Sequence, residues 1–202
     1  MTHFMGLNPW LSMWSQPRTT IRAIVYSAPS YGTFRLSAIY ALQALFFFAN
    51  WTSLGLTHSF QTILLSSLVL APFFGLFWLY SFGTAFYLAG RLLGGQATFS
   101  YVQSAMAWSH IPASIDLALW FVLLLNQSET TFVLKIGQTE TLFVIFISCV
   151  VAVWVTVLII RSFAEIQGFT ICRAFFNLII GIVIYFVLYF VFYYFYIYLF
   201  VK

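Results

Sequence analysis

The chain reads as an all-α, polytopic transmembrane bundle of five spans, with a cytoplasmic N-terminus, an outside C-terminus and a short amphipathic interfacial helix in front. Three observations predict it. Apolar residues make up 63% of the sequence and charged residues only 6%, against about 25% charged in ordinary soluble domains. The apolar residues fall into long runs, each near the roughly 20 residues a helix needs to cross the hydrocarbon core. The few charges lie mainly in the gaps between those runs. Two regions follow: an amphipathic segment over 1–35 and a five-helix transmembrane domain over 36–202.

In the N-terminal segment, Asn8 precedes Pro9, the pairing of a capping residue with proline at the first helical position. Trp10, Leu11 and Trp14 follow at helical spacing. Pro17 starts a second short turn in which Ile21, Ile24, Val25 and Ala28 share a face opposite Arg18 and Arg22. Tryptophan beside arginine suits a helix at the headgroup level, so Trp10 and Trp14 are expected to anchor the segment on membrane lipids. The same surface is a candidate docking site for a cytoplasmic partner.

The five spans are Leu36–Leu56, Thr62–Ala89, Tyr101–Leu125, Thr139–Ile160 and Ala174–Phe200. The first lies too far along the chain for a secretory signal, and no small-residue cleavage pattern follows it. Span two carries Ser67, Ala71 and Gly75 at four-residue intervals, a face that lets another backbone approach closely and leaves room for a homodimer. Pro72 is expected to kink it. Span three is the most polar and the expected centre of the bundle; it holds Gln103, Ser104, Ser109, His110, Ser114 and Asp116, with Pro112 among them. Ser100 and Gln103 stand at capping-box spacing at its start. Span five is aromatic, with Tyr185, Tyr189, Tyr193 and Tyr196 along one side, expected to pack against other helices and end in an interfacial belt.

Orientation follows from the basic residues, because loops rich in them stay cytoplasmic. An inside N-terminus puts Arg18, Arg22, Arg35, Arg91, Arg161 and Arg173 inside and leaves Lys135 and Lys202 outside, six against two of the eight basic residues. The basic balance therefore reports topology rather than nucleic-acid binding; there is no basic run. Two cysteines, Cys149 and Cys172, make no disulfide framework. Of two glycosylation sequons, Asn50 falls within a span and Asn126 outside the membrane.

The two cytoplasmic loops are alike. Gly90-Arg91-Leu92-Leu93-Gly94-Gly95-Gln96-Ala97-Thr98 joins spans two and three, and Arg161 through Glu165-Ile166-Gln167-Gly168-Phe169-Thr170 joins spans four and five. Each starts with an arginine and places a Gln, a Gly and a Thr before the next helix, a faint repeat near seventy residues. The first loop lacks the order of a phosphate-binding P-loop. Glu165, four residues after Arg161, shares its helical face and forms with Arg173 a candidate ion-pair cluster.

Three stretches resemble the Yip domain family of five-span membrane proteins in its prokaryotic form: Asn8-Pro9-Trp10-Leu11-Ser12-Met13-Trp14 through Arg22, Gly90 through Phe99 and on to Trp108 and Pro112, and Ala164-Glu165-Ile166-Gln167-Gly168-Phe169-Thr170 with Arg173, Ala174 and Asn177. The resemblance implies five spans with a cytoplasmic N-terminus. In eukaryotic relatives it goes with Rab-type GTPases and vesicle traffic, through a long polar N-terminal region that is not seen here.

No catalytic triad, paired carboxylates, zinc signature or Cys/His ligand spacing is present, so the expectation is a non-enzymatic protein without cofactor or metal. The leading reading is a scaffold or adaptor in a prokaryotic cell membrane, engaging lipid or a protein through Arg91, Gln96, Arg161, Glu165, Gln167, Gly168, Trp10 and Trp14. The alternative is a small proton- or ion-linked transporter or channel using His110, Asp116 and Tyr189. An acidic residue inside a span is costly unless paired. Asp116 accordingly has two readings, a coupling site or a structural carboxyl that is hydrogen-bonded to a neighbouring helix or close enough to the outer face to meet water.

Overall fold

The computed structural model describes residues 8–126, 130–135 and 139–200, leaving out the side chains of 126, 139–141, 196, 199 and 200. The expectations resting on Lys202, on Tyr196 and on the Asn126 side chain lie outside the described residues. The described chain is all-helical, with no strand. Its elements are α1 (Pro9–Ser15), α2 (Pro17–Ser27), α3 (Thr33–Trp51), a 3-10 turn (Leu54–Leu56), α4 (Phe60–Leu92), α5 (Phe99–Ser109), α6 (Ala113–Asn126), α7 (Thr139–Gln167) and α8 (Ile171–Phe200).

Three helices are long and apolar enough to cross a membrane, α4, α7 and α8, and α5 with α6 makes a fourth if the bent pair is one span. α3 is not among them. Its 19 residues span about 28 Å at 1.5 Å each, and Arg35, Gln43 and Asn50 dilute its apolar face. The break between α5 and α6 turns the path by 45°. Pro112 causes it: proline cannot donate to the helix ladder, and it pushes the residue before it out of helical geometry. α4, by contrast, runs through Pro72 as one helix.

Helix starts follow local chemistry at the N-terminus. Asn8 accepts a hydrogen bond from the Trp10 N–H, and Pro9 and Pro17 open α1 and α2. The capping box at Ser100 and Gln103 does not form. α5 begins at Phe99, so Ser100 already lies in the first turn, and its hydroxyl meets that of Thr98 instead. α7 runs past Arg161 to Gln167; no glycine or proline interrupts it before Gly168.

α5 is the central helix, packed on α2, α3, α4 and α7, with Val102, Ala105, Met106 and Trp108 closed off. The face of α2 expected to rest on lipid is covered by protein: Ile21, Ile24 and Val25 are buried where α2 meets α5 and α7. The small-residue face of α4 is also taken. A Cβ on Gly75 would lie 2.6 Å from the Ser37 carbonyl of α3, so the close approach that suggests a homodimer is spent within one chain. Span five departs from expectation beyond its first half. Tyr185 stacks on Phe82 at 3.8 Å, but Tyr189 and Tyr193 stack on each other and stay about half exposed. At the other end of the bundle, Phe132 inserts among Phe46, Phe60 and Trp120, and Asn50 donates to the Thr131 carbonyl at 2.8 Å.

Candidate functional site

The two similar loops are two copies of one helix ending. At the end of α4, Gly94 takes a left-handed φ of 79° and its N–H reaches the Arg91 carbonyl, while Gly95 N–H reaches back to Gly90. At the end of α7, Gly168 has φ 69° and Phe169 N–H reaches back to Ala164. Both have the six-to-one closing bond of the Schellman motif, with glycine at the left-handed position. Neither Gly94 nor Gly168 has any atom within 4 Å of its missing Cβ, so backbone conformation alone requires the glycine.

The loops also interlock. Gln167 is 2% exposed, and its Oε1 accepts the Ala97 N–H at 3.1 Å. Its amide fills the space where side chains on Gly90 and Gly95 would stand, so that a Cβ at either position would collide with it. Gln167 is therefore a buried bolt between the connections and not the surface contact that its place in the sequence suggests. Gln96 is exposed beside it.

Glu165 pairs across the bundle rather than along its own helix. Arg22 Nε donates to its Oε1 at 2.6 Å, a second Arg22 nitrogen meets the same oxygen, and Arg18 Nε stands 3.5 Å from Oε2. The expected cluster with Arg161 and Arg173 is not formed, because α2 packs on α7 and brings its arginines first. Arg173 instead lies over the Phe169 ring at 5.5 Å. Arg91 and Arg161 are exposed and make no ion pair among the described residues. Arg161 and Arg18 border a cleft of about 450 Å³ walled by Val157, Ile160 and Ile171. Trp10 packs edge-on against Trp108 at 5.9 Å, and Trp14 lies half-buried against the core.

The intramembrane candidates have separate neighbours. His110 sits between Tyr40 and Trp78, at 5.5 and 4.7 Å between ring centres. Asp116 is buried on α6 near Ser148 of α7, and its Oδ1 has no partner among the described residues. Tyr189 faces outward on α8. No group of three or more metal-ligating side chains gathers among the described residues.

Sequence reasoning missed Tyr40, whose buried hydroxyl is unpartnered among the described residues, and Gly181, whose missing side chain admits the Phe86 ring. A lone glycine in an apolar span was the available signal for the second; nothing in the local pattern marks the first. Comparison of the chain with protein-family models, with curated proteins and with solved structures finds no match.

Proposed function

We propose that the chain is a non-enzymatic membrane scaffold or adaptor of Yip-like type, five spans with the N-terminus inside, whose arginine-bearing end engages anionic lipid or a partner presenting such a group. α3 is the fifth span in this reading, held in the membrane by its packing on α4. The observation that carries it is the cleft between Arg18 and Arg161. It offers two guanidinium groups above apolar walls, the combination that suits a headgroup phosphate with its acyl chains below. The two stretches that support the Yip-like reading, Gly90–Phe99 and Ala164–Thr170, are also the ones that interlock through Gln167.

The test is lipid retention by the purified protein, read by native mass spectrometry after exchange through nanodiscs of mixed phosphatidylglycerol and phosphatidylcholine. The reading expects phosphatidylglycerol to be retained several-fold over phosphatidylcholine, with the preference lost in Arg18→Gln/Arg161→Gln. Equal retention of the two lipids by the unaltered chain overturns it.

A further inference from the structure

A second cavity, of about 600 Å³, opens between α3, α4 and the break that separates α5 from α6. Its walls are mainly hydrocarbon and aromatic, among them Ala41, Phe74, Trp78 and Phe82, with Gln43 and Ser81 also on the lining and the Ser81 hydroxyl donating to the Trp78 carbonyl. Two rings on its lining, Tyr40 and His110, have unmet hydrogen-bonding capacity. Tyr40 is 5% exposed, and its hydroxyl has no partner among the described residues. His110 has its Nδ1 at 2.7 Å from the Met106 carbonyl. A carbonyl only accepts, so Nδ1 carries the proton, and in the neutral ring Nε2 is left as an acceptor. Trp78 packs edge-on against the imidazole and fixes its plane.

The cavity thus pairs a hydroxyl that can donate with a nitrogen that can accept, on neighbouring rings, in a largely apolar space whose lining also carries Gln43 and Ser81. Its rim includes Phe48 and Phe77, 58% and 65% exposed, on helices whose outer faces are apolar. An opening bordered this way admits molecules sideways from the bilayer. A hydroxyl oxygen is the smallest group that can accept from Tyr40 and donate to His110 together. A ketone or ether satisfies only the tyrosine, and a hydrocarbon satisfies neither. The volume lies within the range of small-molecule sites, and a few polar groups in an apolar pocket are what fix a ligand's orientation there.

We propose that this cavity binds a hydrophobic molecule bearing a hydroxyl group, taken from the bilayer, with its hydroxyl held between Tyr40 and His110. The site is independent of the arginine cleft and stands if the adaptor reading fails.

The test uses the full chain in phosphatidylcholine nanodiscs and a photoreactive, alkyne-tagged analogue of hexadecanol, with labelled positions read by peptide mass spectrometry. Labels are expected on α3 near Tyr40 and on α4 near Trp78. Unlabelled hexadecanol should compete at least fivefold better than its methyl ether, which has the same chain and no donor. Tyr40→Phe, which removes one oxygen and keeps the ring, should cut labelling at least threefold, and His110→Phe should do the same. Labels spread over the outer faces of α4 and α8 without competition would mean ordinary boundary lipid and overturn the proposal. Equal competition by alcohol and ether would overturn it as well. The competition arm needs only the unaltered protein, so its result stands even if a variant fails to fold.

Discussion

Gln167 holds its place because two side chains are missing opposite it. Its amide fills the space that Cβ atoms on Gly90 and Gly95 would occupy, and its oxygen caps the Ala97 N–H. Overpacking a filled interior costs about 1–3 kcal/mol. Gly90→Ala and Gly95→Ala are therefore each expected to destabilise the protein by about that amount, read by thermal or denaturant unfolding in detergent. The cost should be smaller when Gly90→Ala is made in a Gln167→Ala background, because the colliding amide is gone. A Gly90→Ala penalty that is the same in both backgrounds would show that the two residues do not meet. The sequence draws attention to these residues but not to their role. Gly-rich connections with a glutamine look like an exposed surface when read along the chain. Only the approach of α4 to the end of α7, two elements about seventy residues apart, turns the glutamine inward. Gly94 and Gly168 are legible in a stronger sense, since a glycine just past a long apolar helix is the ordinary sign of its C-terminus.

At the scale of elements, two contacts decide how the helices sit. The first is α2 on α7, with Glu165 meeting Arg22 and Arg18. Both arginine side chains are more than half exposed, so the pairs are worth no more than the few tenths to about 1 kcal/mol of surface ion pairs, screened further by salt. The buried Ile21 and Ile24 carry the larger share of the docking. Glu165→Gln is accordingly expected to leave α2 in place and raise its hydrogen exchange only modestly. Ile21→Ala/Ile24→Ala should release it, with exchange over residues 17–27 rising by an order of magnitude or more. Equal exchange in the two variants would contradict this ranking. The amphipathic pattern of α2 is visible in the sequence, but an apolar helical face looks the same whether lipid or protein covers it. The second contact is α3 on α4 at Gly75, where the clash would be with backbone rather than a movable side chain. Gly75→Ala is expected to push the two helices apart and cost at least as much as Gly90→Ala in the same unfolding measurement.

For the whole molecule, composition and run length predict a helical membrane protein, and three helices, or four with the bent pair, are long and apolar enough to cross a bilayer. The fifth run is less clear for a physical reason. α3 is short and carries polar groups that hydrogen bonds, not its hydropathy, accommodate: Asn50 donates to the Thr131 carbonyl, and Ser37 to the Phe34 carbonyl of its own helix. The intramembrane polar residues are legible as residues but not as a site, because facing directions across a bend at Pro112 do not follow from a single helical wheel. The proposed orientation makes a sharp demand on the two native cysteines, both exposed on the protein surface. Cys172 lies in the first turn of α8 beside Arg173, at the arginine-bearing end, and Cys149 lies within the apolar stretch of α7. A membrane-impermeant maleimide should leave Cys172 unlabelled in intact cells and modify it after permeabilisation or in inverted vesicles. Cys149 should stay unmodified in every case, because thiolate formation and reagent access both need water. Labelling of Cys172 from the outside of intact cells would invert the topology, and with it the side on which the cleft between Arg18 and Arg161 meets its ligand.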